Sequence, residues 1–139
     1  MGVNFLQINL HHSKAGTAEL ARRMKSTGSF IVLVQEPWHY AGGVRGLRGA
    51  GLHVPETSNG QIPRACIVVS SNISIWPLPR QSNRDIMAVK IVLGRHRLTV
   101  GSVYMPWDRE IPEQHIRQLA ERACMYVCMF VEEVVYSIG

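Results

Sequence analysis

The chain alternates between short apolar runs and polar breaks at strand and helix spacing. Val3 to Asn9, VNFLQIN, alternates enough for a first strand. HHSKAGTAELARRMKSTG then reads as a loop and a helix, with Ser13 or Thr17 as cap. Ala18, Ala21 and Met24 are the predicted core face, and Gly28 the stop. Phe30 to Val34, FIVLV, is apolar throughout, the pattern of a strand covered on both faces. A strand, helix, strand order predicts a parallel pair with a right-handed crossover, which brings Asn9 and Glu36 out on one edge.

Further along, RACIVVSS (64–71) predicts a third strand and ISIWPLP a fourth, stopped by Pro77 and Pro79. DIMAVKIVL and RLTVGSVYM flank GRH as a hairpin. Between 41 and 61 lie six glycines without the order of a phosphate-binding Gly-Lys-Ser loop, so this stretch reads as a flexible surface loop with a short strand around Leu52 to Val54. PEQHIRQLAERACMYVCMFVEEVV reads as a helix that begins at Pro112 and carries Ile116, Leu119, Ala120 and Ala123 on one face.

At 139 residues this is one domain, with no apolar run near the roughly 20 residues of a membrane helix. The N-terminus lacks a signal-peptide pattern, and Leu6 stands where myristoylation wants Ser or Thr. Cys66, Cys124 and Cys128 make no disulfide framework, which points to a reducing intracellular compartment, the nucleus included. Cys124 and Cys128 alone are a poor zinc site. Charge is uneven: residues 1–107 hold 12 Lys and Arg against Glu19, Glu36, Glu56 and Asp85, a balance of +8. Residues 108–139 hold three Arg against six acids, a balance of −3. A basic body suits a polyanion such as DNA, with Lys14, Arg22, Arg23, Arg45, Arg48 and Arg64 as candidate phosphate contacts.

A buried strand running into Gln35-Glu36-Pro37-Trp38 needs a reason, because a carboxylate there is costly unless something requires it. LQINLHHSKAGTAELARRM, IVLVQEPW, RACIVVSSNISIWPL and VGSVYMPWD, in that order, resemble the front half of the endonuclease/exonuclease/phosphatase superfamily. They are most similar to the apurinic-type endonuclease domain of non-LTR retrotransposon polyproteins, in which a reverse transcriptase domain follows on the same chain. The resemblance implies a Mg²⁺- or Mn²⁺-dependent cut in DNA, with Glu36 as metal ligand and Asn9 and Tyr104 as catalytic residues at the scissile phosphate. Hard cations want such carboxylate oxygens, so the strand would be rigid in order to hold Glu36. His11 and His12 lie close to Asn9 but read as surface loop residues.

The resemblance also implies groups that this sequence lacks. The superfamily continues with a Gly-Asp-Phe-Asn-like segment and then a Ser-Asp-His segment; here Asp85 and Asp108 are the two aspartates, and no Asp-His pair occurs. The expected fold is α/β: one mixed sheet with flanking helices, the second sheet of the family's sandwich largely missing, and apolar surface left open. Residues 1–122 correspond to the front of the family's domain, and 123–139 form a divergent apolar tail. Two functions compete: a metal-dependent phosphodiesterase impaired as a fragment, or a non-catalytic nucleic-acid-binding remnant or translated relic with no enzymatic role. In either, metal binding is weak or absent.

Overall fold

The computed structural model describes residues 2–47, 51–58 and 60–104, together with the strands at 125–128 and 133–138. β1 (Val3–Asn9) leads into α1 (Lys14–Ser26) and returns as β2 (Phe30–Gln35), parallel to β1 with Asn9 opposite Gln35. Ser13 caps α1: its Oγ accepts from the Gly16 N–H at 2.9 Å. The buried stripe of α1 is Thr17 and Leu20, whereas Ala18 is exposed, because the helix presents the larger Leu20 to the sheet. α1 stops at Ser26 with Thr27 in extended backbone, so Gly28 is not its cap.

β3 (His39–Tyr40) and β4 (Gly43–Val44) form a small hairpin across Ala41 and Gly42, both with positive φ. The glycine-rich stretch is therefore partly built, and it ends on Leu47, which is completely buried. Gly46 (φ +81°) lies so close to α1 that a Cβ there would come within 2.7 Å of Thr17 Cγ2. β5 (Gly51–His53), β6 (Ala65–Val69) and β11 (Glu133–Ile138) complete a mixed five-stranded sheet in the order β11-β1-β2-β6-β5.

The α/β class holds, and so does the mixed sheet. The second sheet contributes four strands, more than the sequence led us to expect: β7 (Ser74–Pro77), β8 (Ile86–Leu93), β9 (His96–Val103) and β10 (Met125–Cys128), in the order β10-β9-β8-β7. The turn after β6, closed by Ile73 N–H donating to the Ser70 carbonyl at 3.1 Å, carries the chain across to it. Phe5, Ile31, Leu33, Ile67 and Val69 of the first sheet meet Met87, Val89, Ile91 and Val100 of the second in one core. The inner face expected to lie open is thus covered. A second core (Leu10, Leu20, Phe30, Val32, Val34, Leu47, Cys66, Val68) lies under α1 on the outer face. β2 divides its side chains between these two cores, which explains its unbroken apolar run.

The helix expected from Pro112 onward fails at Met125–Cys128 and Glu133–Ile138, which are strands, parallel to β9 and antiparallel to β1 respectively. Tyr126, Val127, Val134, Val135 and Tyr136 are aromatic and β-branched, residues that favour strands. The rest of that expected helix, with Asp108, lies outside the described residues. Among the described residues, no helix is long and apolar enough to cross a membrane.

Candidate active site

On the inner faces of three strands the side chains grade from apolar to polar in the same direction. Val3 and Phe5 are followed by Gln7 and Asn9 on β1; Ile31 and Leu33 by Gln35 on β2; Val100 by Ser102 and then Tyr104 on β9. Gln7, Gln35 and Ser102 form a buried polar rung between the sheets. Gln35 Nε2 donates to Ser102 Oγ at 2.9 Å, and that hydroxyl donates to the Val34 carbonyl at 2.8 Å. Gln7 Nε2 reaches Gln35 Oε1 at 3.4 Å. This rung is the floor on which the candidate site stands.

One or two residues further along each strand lie the residues singled out by the sequence. Asn9 is buried, and its Oδ1 accepts from the His11 N–H at 2.8 Å, which fixes the orientation of the amide. Asn9 Nδ2 is buried with no partner among the described residues. A buried donor left unpaired costs about 1–3 kcal/mol, so the position suits a bound acceptor, a phosphate oxygen or a water.

Glu36 caps β2 in left-handed backbone (φ +48°), and His11 (φ +49°) and His12 (φ +58°) adopt the same region directly after β1. The two turns are tied together: His12 N–H donates to the Glu36 carbonyl at 2.9 Å, and Leu10 N–H to the Gln35 carbonyl at 2.9 Å. Non-glycine residues held there are strained, and such strain gathers at functional sites. His11 Nδ1 lies 3.5 Å from Glu36 Oε2, on a carboxylate whose side chain is 18 % exposed.

Tyr104 enters from the other sheet. The expectation that all three residues end strands of one sheet is corrected here: β9 belongs to the second sheet, and Tyr104 meets Glu36 across the mouth of the sandwich. Burial, then the hydrogen bond to Glu36, pushes the Tyr104 hydroxyl above its usual range, so it stays a proton donor. Its ring lies under the Arg64 guanidinium, 4.7 Å from Cζ to centroid. Arg64 in turn grips Asp85 with two bonds, Nε–Oδ1 at 2.6 Å and Nη2–Oδ2 at 2.7 Å.

The candidate phosphate contacts differ in availability. Arg64 is committed to Asp85 and Tyr104. Arg22 makes a two-pronged bond to Glu19 at 2.8 and 2.6 Å, and Arg23 joins it at 3.2 Å. Those guanidinium groups hold the Glu19 carboxyl down at about 2. Lys14 lies over the Trp38 ring at 5.4 Å, and Arg45 N–H donates to the Trp38 carbonyl at 3.0 Å. The Lys14 ammonium thus lies beside the Glu36–Trp38 turn, whereas the Arg45 guanidinium is turned to the β3–β4 hairpin, its Nε donating to the Tyr40 carbonyl at 3.1 Å. Arg48 lies outside the described residues.

A hard divalent cation wants oxygens. Among the described residues, no three His, Cys, Asp or Glu side chains come together to hold one. Asp85 is closed by Arg64, which leaves Glu36 as the open carboxylate of the site among the described residues. Mg²⁺ commonly keeps several waters and takes one or two carboxylates together with substrate phosphates. The residues therefore fit an ion shared between Glu36 and a phosphate; they do not fit a cage made by protein alone. The sequence reading missed the roles of Arg64, Asp85 and the Gln7-Gln35-Ser102 rung. The signal for the rung was available, as a polar residue at the same alternation on three apolar strands.

No protein-family profile and no curated protein matches the sequence. Solved structures share its fold, the two-sheet sandwich described above. An endonuclease/exonuclease/phosphatase family protein from Leptotrichia buccalis superposes with a TM-score of 0.56 at 13% identity, over 91% of this chain and 65% of that one. The endonuclease domain of TRAS1, a telomere-specific non-LTR retrotransposon, superposes with a TM-score of 0.75 at 22% identity, over 91% of this chain and 57% of that one. The chain thus spans less than two-thirds of either structure.

Proposed function

We propose that this chain carries the phosphate-binding part of a metal-dependent DNA endonuclease site, and that the 139 residues alone bind DNA with little or no cleavage. The observation that carries the reading is the unpartnered Asn9 amide at the strand end beside Glu36, with the Tyr104 hydroxyl facing the Glu36 carboxylate from the other sheet. Its support is the likeness in fold to structures described as endonuclease and endonuclease/exonuclease/phosphatase family proteins.

Glu36 would hold Mg²⁺ or Mn²⁺; when bound, such an ion neutralises charge on the non-bridging oxygens and lowers the pKa of a bound water. Asn9 Nδ2 donates to a phosphate oxygen, which ends its isolation. The Tyr104 hydroxyl, kept protonated, turns from Glu36 to a second phosphate oxygen. Arg64 fixes the tyrosine ring from above, while Asp85 holds Arg64 in place. Lys14 and Arg45 take the flanking phosphates.

Cleavage also needs a base for water and an acid for the leaving alkoxide, each typically about 10²–10⁴-fold in rate. Asp85 is closed by Arg64, and the sequence offers no Asp-His pair. This favours the second reading, a nucleic-acid-binding domain without turnover, for these residues taken alone. The test is relaxation of supercoiled plasmid with Mg²⁺ and with Mn²⁺, beside gel-shift titration, for the chain and for Glu36→Ala. We expect no nicking by either, and equal duplex binding that weakens steeply with salt. Metal-dependent nicking that vanishes in Glu36→Ala would show that the chemistry is assembled after all.

A further inference from the structure

The far end of the second sheet carries cations that the site does not use. β8 and β9 join through a two-residue turn, Gly94–Arg95, with Leu93 opposite His96 and positive φ at Gly94 (+60°). β9 runs from that turn to Tyr104, so the turn and the candidate site lie about 25 Å apart at a rise of about 3.3 Å per residue. Beside the turn, a shallow groove is lined by Trp76, Lys90, Val92, Gly94, Arg95 and Arg97. Trp76 is 53% exposed on the edge strand β7, directly opposite Lys90 in the ladder.

Three features of this groove belong together. An exposed indole on an edge strand costs solvation and invites aggregation, so a bare Trp there calls for a ligand. Lys90, Arg95 and Arg97 are exposed, and none of them makes a hydrogen bond or ion pair to any described residue. Elsewhere Arg22, Arg23 and Arg64 are tied to carboxylates and Arg45 and Arg84 donate to the Tyr40 and Ile62 carbonyls, whereas no acid lines this groove. Cations left unpaired around an open aromatic face match a polyanion with exposed rings, where a base stacks and its phosphates reach the charges. A duplex keeps its bases stacked inside and has no use for the indole.

We infer that the groove of Trp76, Lys90, Arg95 and Arg97 is a binding site for single-stranded nucleic acid, separate from the candidate active site. One base stacks on Trp76, and the phosphates on either side meet Lys90 and the two arginines. Recognition is independent of sequence, because every base has a face to stack and the three cations are engaged by phosphates.

The test is fluorescence anisotropy of the whole chain with labelled oligo(dT) and oligo(U) in EDTA, which removes any contribution from a metal at Glu36. We expect Trp76→Ala to weaken single-strand binding about tenfold or more, with the salt slope unchanged and duplex binding unchanged. Trp76→Phe should restore most of the loss, since a phenyl ring also stacks. The triple variant Lys90→Ala/Arg95→Ala/Arg97→Ala should flatten the slope of log K against log salt by about 2, at about 0.7 per phosphate contact on a single strand. Preference between the two oligomers would tell DNA from RNA as the natural strand, and either supports the site. Unchanged single-strand affinity in folded Trp76→Ala, or equal loss of duplex binding, would overturn it. So would loss of self-association in Trp76→Ala with no change in binding, which would make the groove an interface between copies. Single-strand binding is read in EDTA and nicking with metal present, so this site and the proposed endonuclease site fail independently.

Discussion

Removing the Ser102 hydroxyl tests whether the polar rung is a connected unit. In Ser102→Ala the loss of volume is small, but Gln35 Nε2 loses its 2.9 Å acceptor and the Val34 carbonyl loses its 2.8 Å donor, all between the sheets. Gln35 and Ser102 are both fully buried, so water does not replace the lost bond. A buried donor left unpaired costs about 1–3 kcal/mol, and we take about 2 kcal/mol for this variant. With an unfolding entropy of about 2.1 cal/mol/K per residue, that lowers Tm by about 7 °C for a domain of this size. The informative comparison is with Gln35→Leu/Ser102→Ala, which replaces both partners with apolar groups. Urea denaturation of the two single variants and the double should show the double about 1–2 kcal/mol more stable than the sum predicts. Additivity within about 0.5 kcal/mol would mean that the two side chains do not depend on each other, and the rung would be no unit.

Gly46→Ala should destabilise by about 2 kcal/mol in the same assay, through its positive φ and the approach to Thr17; a neutral result would mean that the turn shifts freely. Burial pushes the Cys66 thiol up to about 12, so iodoacetamide at pH 8 should leave it unmodified until urea unfolds the chain, as read by peptide mass. Burial lowers the His53 pKa below 6.5, so the folded state binds fewer protons there than the unfolded one. Its contribution is present above pH 6.5 and lost as the pH falls through the folded value; His53→Gln should flatten that acid limb, and an unchanged limb would refute the assignment.

Local pattern was enough for β1, α1, β2, β6, β7 and the β8–β9 hairpin, because each carries its own periodicity and its own punctuation. Alternation at Val3 to Asn9, the Ser13 cap and Pro77 are examples. Pattern was not enough for the distribution of strands over two sheets, since the crossing at Ser70–Ile73 is a tertiary choice that leaves no mark on the strands themselves. The apolar run around 125–135 deceived because helix and buried strand look alike without alternation; the aromatic and β-branched residues were the better guide. The placement of Asn9 and Glu36 at neighbouring strand ends was legible from the β1–α1–β2 pattern, whereas that of Tyr104 on the other sheet was not. Arg64 was read as a free cation because its partner Asp85 stands 21 positions away, and ion pairing at that distance has no sequence signature.

The left-handed turns at His11, His12 and Glu36 sort amino acids in a way a saturation library would expose. Glycine, asparagine and aspartate visit that region cheaply, whereas valine, isoleucine and threonine do not. At positions 11 and 12 a screen for folded chains should keep the first group and discard the second, whatever their chemistry. At position 36 the same screen should welcome glycine, relieved of strain, while, under the function proposed above, a screen for Mg²⁺ or Mn²⁺ binding should reject it. A residue that folding would exchange for glycine, and that the proposed metal would retain, is where the two pressures on this chain would come apart.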